Sequence, residues 1–346
     1  MQKKPFISVI VSFFNEEELL PRCVDSICRQ CCSDFEVVLI NDGSTDNSLD
    51  IVNKQIEGFN NFKVLSIKNV GLAEARNIGL QHATGEYITF LDADDAFQLN
   101  ALNSFTDEAK QHKPDLIICD YSLLSGDGKT ELPTKWYTEY SQIETTEEFI
   151  KVFYQKRTIE TVWGKLFKAD IAKSIVFKKG LWFEDRPYFV EFILKAKTIT
   201  FIPKKLLKIY CRKSSITRRV LGEKRITDCH LIFLEELSIL KKYKKSQLFN
   251  YGAFKTALGY LIDNYLIQII DKDEIKNYSE ICNRYQSLLD SYKKKIKQEN
   301  QKMKLKDKLL ISALSMPNYI GWNLSNSFFK ILKRKRLNSI RTIKNL

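Results

Sequence analysis

Glu86-Tyr87-Ile88-Thr89-Phe90-Leu91-Asp92-Ala93-Asp94-Asp95 runs from an apolar segment straight into carboxylates. Its first six residues read as a buried strand, so the acidic groups fall at that strand's carboxyl end. Carboxylates crowded there repel one another and lose hydration. A hard divalent cation relieves both conflicts. Mg2+ or Mn2+ takes one or two protein carboxylates and fills its other positions with phosphate oxygens and water. Alone, the pattern is also that of a common acidic turn. Its sequence neighbours decide between the two.

Working outward, apolar runs alternate with helical stretches. Strands are expected at 7–13, 35–40, 62–67 and 116–119, with helices from Glu17 to Gln30 and from Leu72 to His82. Shorter strands are expected at 174–177, 198–202 and 206–210, and a helix from Pro187 to Lys197. Such alternation predicts an α/β fold with a mostly parallel, Rossmann-like sheet flanked by helices. Ligands in such sheets sit beyond the carboxyl ends of the strands. Three polar clusters fall there: Asn15, Asp42 to Asp46, and Asp92 to Asp95. Asp42 follows the second strand. Its carboxylate can accept a hydrogen bond from a base N–H, or the same turn can cap the next helix through Ser44 or Thr45.

The motifs are more specific together than apart. Pro5-x-Ile7-Ser8-Val9-Ile10-Val11-x-x-Phe14-Asn15 is followed by Asp42-Gly43-Ser44-Thr45-Asp46. Then come Gly71-Leu72-Ala73-Glu74-Ala75-Arg76-Asn77-Ile78-Gly79 and Asp92-Ala93-Asp94-Asp95. In this order they resemble the family-two glycosyltransferases, which have the GT-A nucleotide-diphospho-sugar transferase fold. The resemblance is strong over residues 5–125 and looser to about 217. It implies transfer of a sugar from a nucleotide-diphosphate donor, with Mn2+ or Mg2+ and inversion of the anomeric carbon.

The resemblance also implies roles. Phe14 and Asn15 would border the nucleoside. Asp42 would bind uracil, with Ser44 in the same turn. Arg76 and Asn77 would lie beside the nucleotide with Asp92 and Ala93, although Arg76 has a second reading as a structural lock on the Asp92 loop. Asp92 and Asp94 match the Asp-x-Asp pair, Asp94 being the direct metal ligand. Ala73 stands where Ser is common. Gly180-Leu181-Trp182-Phe183-Glu184-Asp185 is similar to the family's acidic pair. Asp185 would be the catalytic base and Glu184 the alternative, since inversion needs a group to take the acceptor's proton. A plain helix start, with acids at the positive end and Pro187 in the first turn, explains the same residues structurally. Trp163 and Lys165 fall in a segment resembling Trp-x-Lys-Leu-Phe near the acceptor, and Trp182 is placed with them. Trp163 would suit a sugar face or a core equally. Arg212 and Lys213 follow the last strand and would neutralise the leaving diphosphate.

Charge divides the chain. Residues 1–110 hold nine Lys/Arg against seventeen Asp/Glu, whereas the whole chain is +13, so the remainder carries +21. The expected organisation is a catalytic domain over 1–225 and a basic, mainly helical region over 226–346, with an apolar stripe at Phe254, Ala257, Leu258, Leu261, Tyr265 and Ile269. Near the end, Trp322, Leu324, Phe328 and Phe329 precede Lys330, Lys333, Arg334, Lys335 and Arg336. This pattern suits an anionic membrane surface. RNA would suit the charges alone.

No apolar run is long enough to span a bilayer, and no secretory signal is read. The expectation is a cytoplasmic protein, peripheral on the inner face of the membrane, without nucleic acid. Its partners would be a nucleotide sugar, uridine-linked by the Asp42 resemblance, and a glycan or lipid-linked glycan acceptor. The eight cysteines are too sparse for a disulfide framework, and Cys28, Cys31 and Cys32 lack the partners of a zinc site. Two rival functions share the architecture. A non-catalytic glycan-binding subunit would have lost Asp94 or Asp185. A nucleotidyltransferase would want a basic loop where Asn15-Glu16-Glu17-Glu18 stands.

Overall fold

The computed structural model describes residues 4–133, 143, 145–156, 160–211 and 223–245, together with 290 and 294. The chain forms two compact units, Met1–Cys211 and Arg212–Leu346. The first carries every described strand.

Its front half is a parallel sheet. Strands β1 (Ile7–Phe13), β2 (Phe35–Asn41), β3 (Phe62–Ser66) and β4 (Tyr87–Phe90) lie in the order β3-β2-β1-β4, all pairs parallel. Between them run α1 (Leu20–Cys28), α2 (Ser48–Gln55) and α3 (Leu72–His82). β1 is buried on both faces, as a parallel strand between helices must be. Its Ile7, Val9, Val11 and Phe13 join one core with Leu20, Cys23, Val24 and Ile27 of α1. On the opposite face Ile10 meets α3 so closely that a Cβ at Gly79 would lie 2.5 Å from its Cγ2. That contact seats α3, which carries Arg76 and Asn77, directly on the sheet.

Beyond β4 the sheet becomes mixed. β5 (Ala96–Phe97), α4 (Ala101–His112), β6 (Leu116–Ser125), β7 (Glu131–Leu132) and α5 (Thr146–Lys156) follow in the chain. Then come β8 (Lys165–Lys168), α6 (Ala169–Lys173), α7 (Asp185–Lys195) and β9 (Ile199–Cys211). β8 inserts antiparallel between β4 and β6, whereas β6 and β9 run parallel. The expected parallel character therefore holds for the first four strands and for the β6–β9 pair, while β5, β7 and β8 pair antiparallel. In the second unit, α8 spans Glu223–Lys242.

Three local expectations are corrected. Helix α1 begins at Leu20 rather than Glu17, because the amides of Glu16 and Glu17 donate to Ser48 Oγ (2.9 Å) and Asp46 Oδ2 (3.1 Å). Residues 174–177 form no strand. Ile175 and Phe177 are buried as alternation predicts, but the backbone of Phe177 pairs with a side chain instead of a strand. The strands expected at 198–202 and 206–210 are one, β9, bent by a bulge opposite Cys119 to Tyr121. The helical stripe at 254–269 and the basic tail lie outside the described residues.

Candidate active site

Arg76 organises the site. Its guanidinium is 4% exposed and meets acidic side chains from two distant segments. Nη2 donates to Asp92 Oδ1 at 2.8 Å, at the end of β4. Nη1 donates to Glu184 Oε1 at 2.7 Å and to Asp185 Oδ1, at the start of α7. Asp185 Oδ2 accepts the Val162 amide at 3.2 Å, which fixes the carboxylate from both sides. One cation thus serves three acids. Burial outweighs that partial compensation, pushing Asp92 up to about 6 and Glu184 up to about 7.

Asp92, Asp94 and Asp95 present oxygen atoms within 4.8 Å of one another. Asp95 is buried, and its Oδ1 accepts the Tyr210 amide at 3.0 Å. Burial and the neighbouring Asp94 and Asp92 raise its affinity for a proton. An all-oxygen, net-negative donor set is what a hard divalent cation takes.

The third polar cluster lies at the entry to α3. Asp42 accepts the Val70 amide on Oδ1 (2.7 Å) and the Gly71 amide on Oδ2 (2.9 Å), so it holds the chain as it enters α3. Gly43 has φ +73, and a Cβ there would lie 2.7 Å from the Asn69 nitrogen. Neither the turn nor the close approach tolerates a side chain. Asn15 grips the same loop: its amide donates to Ser44 Oγ at 3.1 Å and its Oδ1 accepts from the Thr45 amide at 2.8 Å. Ser44 therefore holds Asn15. It does not cap α2, whose cap position is Asn47. Phe14 stands beside this loop, 44% exposed, as do Val70 and Leu72 beyond Asp42.

Asp42 at the entry to α3, the Asp92-Ala93-Asp94 cluster and the acidic pair, the last two joined through Arg76, sit on a sheet matched by a family model over residues 8–176, described as "Glycosyl transferase family 2". Over those residues the chain carries a glycosyl transferase family 2 domain. It is 30% identical over 203 residues to the uncharacterized glycosyltransferase EpsJ of Bacillus subtilis, covering 57% of this chain and 59% of that one. The chain spans 59% or less of the length of the first three curated relatives it matches. Among solved structures, S. aureus TarS 1–349 in complex with UDP-GlcNAc superposes with a TM-score of 0.61 at 20% identity, over 84% of this chain and 82% of that one. The mannosyltransferase PcManGT from Pyrobaculum calidifontis, in complex with GDP-Man and Mn2+, gives 0.52 at 16% identity, over 86% and 88%. These likenesses establish the GT-A fold.

Within the family 2 site, several residues serve roles the sequence does not reveal. Asn77 bonds on both ends of its side-chain amide. Its Nδ2 donates to Phe177 O (3.0 Å) and Glu74 Oε2 (3.1 Å), and its Oδ1 accepts the Phe177 amide (2.8 Å). Both amide hydrogens are committed within the protein, and the bonds to Phe177 hold the loop before Glu184. Arg76 makes the contact with Asp92 that its reading as a lock on that loop requires. Ala93 is buried in the core. Trp163 packs edge-on against Tyr121 with centroids 5.0 Å apart and abuts the core. Lys165 is 1% exposed, bonded to Thr161 O at 2.6 Å and set over the Phe189 ring. Burial pulls it down to about 7, and its Nζ donates to carbonyls of the segment before β8. Trp182 is half-buried in the segment leading to Glu184. Arg212 and Lys213 lie outside the described residues. Sequence reasoning missed Glu160, which pairs with Arg186 next to Asp185. It also missed Arg22, taken up below. Among the described residues no helix is long and apolar enough to cross a membrane.

Proposed function

We propose that the protein is an inverting glycosyltransferase that moves a sugar from a uridine-diphosphate donor to a hydroxyl of a glycan or lipid-linked glycan, in cell-surface polysaccharide synthesis. One observation carries the reading: Arg76 joins the Asp-x-Asp carboxylate of Asp92 to the acidic pair Glu184–Asp185, 108 and 109 residues away in the chain. Donor-side and acceptor-side chemistry thereby share a single centre.

The chain's own groups divide the work. Asp42 keeps a lone pair on each oxygen after binding the Val70 and Gly71 amides, and these can accept a base N–H. Exposed Phe14 offers that base a flat apolar face. Asp94 with Asp92 fits a divalent cation, Mn2+ or Mg2+, which when bound would supply positive charge for the leaving diphosphate. Asp185 is held by Arg76 and the Val162 amide, and accepts the acceptor hydroxyl's proton as that oxygen bonds to C1 and the C1–diphosphate bond breaks. No protein nucleophile is needed. Glu184 is the second reading for the base, because burial has brought it close to the neutral range that suits one. Asp185 is preferred for its two-point orientation.

TarS with UDP-GlcNAc supports a uridine donor, while PcManGT with GDP-Man shows that the fold also takes guanosine. The deciding experiment measures nucleoside-diphosphate release from a panel of UDP- and GDP-sugars with Mn2+, against Asp94→Ala. Release from one UDP-sugar by the wild type alone supports the proposal. No release from any donor favours the non-catalytic binding subunit. The basic end of the chain supports a cytoplasmic, membrane-peripheral site of action.

A further inference from the structure

We infer that Arg22, on α1, is a positioning residue for the metal-binding carboxylates; the inference rests on the metal reading of Asp92 and Asp94 proposed above. Arg22 is far from them in sequence and lies in a helix whose other charged residue, Asp25, simply pairs at the surface with Arg29 at the helix end. Its guanidinium does not follow them into solvent. Nη2 donates to the backbone carbonyl of Asp94 at 2.5 Å, and the group stacks over the Tyr210 ring, its centre 3.3 Å from the ring centroid. Nε is buried without a hydrogen-bond partner. An arginine gives up hydration in this way only for contacts that compensate it, here a charge-assisted hydrogen bond and a cation–π contact.

The surroundings show what those contacts hold. Tyr210 is itself fixed to the acidic cluster, because its amide donates to Asp95 Oδ1. Arg22, Tyr210, Asp94 and Asp95 thus close a ring: side chain on ring, ring residue on carboxylate, side chain on carbonyl. The rest of α1 continues the grip along the same strip of chain. Ser26, one turn on, accepts the Phe97 amide at 3.0 Å. Gln30, just past the helix end, donates to Gln98 O at 2.9 Å and accepts the Leu102 amide at 3.1 Å. Residues spaced by four share one helix face, so Arg22, Ser26 and Gln30 form a rail along residues 94–102. The opposite edge of that strip is held by β9, through Ala96 with Lys208 and Phe97 with Leu207. Arg22 is the member of the rail at Asp94 itself. A carbonyl fixed at that residue fixes the direction in which its carboxylate leaves the backbone. Mg2+ and Mn2+ demand defined ligand directions, so the fixed carbonyl converts a loose acidic turn into a site.

The test compares Arg22→Ala, Arg22→Lys, Tyr210→Leu and Arg29→Ala with the wild type in the full chain. Mn2+ binding in the presence of saturating UDP is measured by calorimetry, and UDP binding in EDTA is measured separately. Arg22→Ala and Tyr210→Leu should each weaken Mn2+ binding by about tenfold or more, the scale of one charge-assisted hydrogen bond. Their metal-free UDP affinity should stay within about twofold. Arg22→Lys should recover part of the loss by restoring a donor to the Asp94 carbonyl. Arg29→Ala removes the same charge from the same helix and should change nothing, which separates contact from general electrostatics. Unchanged Mn2+ binding in both Arg22→Ala and Tyr210→Leu overturns the inference. So does an equal loss of metal and metal-free UDP binding in both, which would make the contacts merely structural. A wild type that binds no Mn2+ with UDP would instead overturn the metal reading on which the inference stands.

Discussion

Arg76 and Glu184, 108 residues apart in the chain, meet in a buried ion pair 2.7 Å long. The pair is incomplete compensation, because the same guanidinium also serves Asp92 and Asp185. Burial therefore sets the balance and holds Glu184 near 7, above its ordinary 4.5.

That shift fixes the sign of a pH effect. Below the ordinary value, Glu184 is protonated in folded and unfolded chains alike, and its contribution is fully present. As pH rises toward 7, the unfolded chain has released a proton that the folded one retains. The contribution is lost as pH passes through the folded value. Urea denaturation in EDTA should show stability falling from about pH 5 to about pH 8, with Asp92 acting in the same direction. Glu184→Gln should flatten the decline. Parallel slopes in the two proteins would show that Glu184 titrates normally.

Metal removal addresses the acidic cluster. EDTA should abolish sugar transfer, and Mn2+ or Mg2+ should restore it. Asp94→Ala should stay folded by circular dichroism and remain inactive at any metal concentration. Full activity in EDTA would remove the assignment of Asp92 and Asp94.

The two candidate bases separate by kinetics. Asp185→Asn should bind the donor sugar with near-normal affinity and turn over about two to four orders of magnitude more slowly. Donor affinity by calorimetry and kcat with a saturating acceptor check this. A variant near the wild-type rate would transfer the role to Glu184.

The basic end of the chain is testable by sedimentation. Seven cations over residues 330–346 and the apolar residues before them should hold the protein on vesicles rich in anionic lipid, each cation near the surface contributing about 1 kcal/mol. Neutral vesicles should retain less, and salt should weaken the binding without ending it. A truncation near Met316 should remain in the supernatant. Equal pelleting of the two proteins would exclude the tail as an anchor.

Local pattern made the front of the molecule readable. The strand from Tyr87 to Phe90 ends at Asp92 as its apolar run ends, and the turn after β2 carries Asp42 where the ordering of motifs puts it. What sequence hides is partnership at a distance. Ser174-Ile175-Val176-Phe177 alternates like a strand, yet its hydrogen-bond partner is the Asn77 side chain, 100 residues away. A single polar start at Lys165 disguises β8, since nothing local says that the lysine is buried. Arg22 looks like one more charge on an amphipathic helix until Tyr210 and Asp94 are brought to it.

Asn77 distinguishes the resemblance from the geometry. If it touched the nucleotide, Asn77→Ala would weaken UDP binding directly. The structure gives it another task. Phe177 is held by its backbone to Asn77 and by its ring to Tyr188, stacked 3.9 Å apart, and the loop that follows delivers Glu184 and Asp185 to Arg76. Removing the amide strands a buried N–H and a buried carbonyl, each worth about 1–3 kcal/mol when left unpaired. Asn77→Ala should therefore lower stability by roughly 2–4 kcal/mol in urea denaturation. It should reduce kcat while UDP affinity changes by less than about twofold. Asn77→Asp should be worse, because a carboxylate cannot donate to the Phe177 carbonyl and would face Glu74. A large loss of UDP affinity with unchanged stability would return Asn77 to the nucleotide.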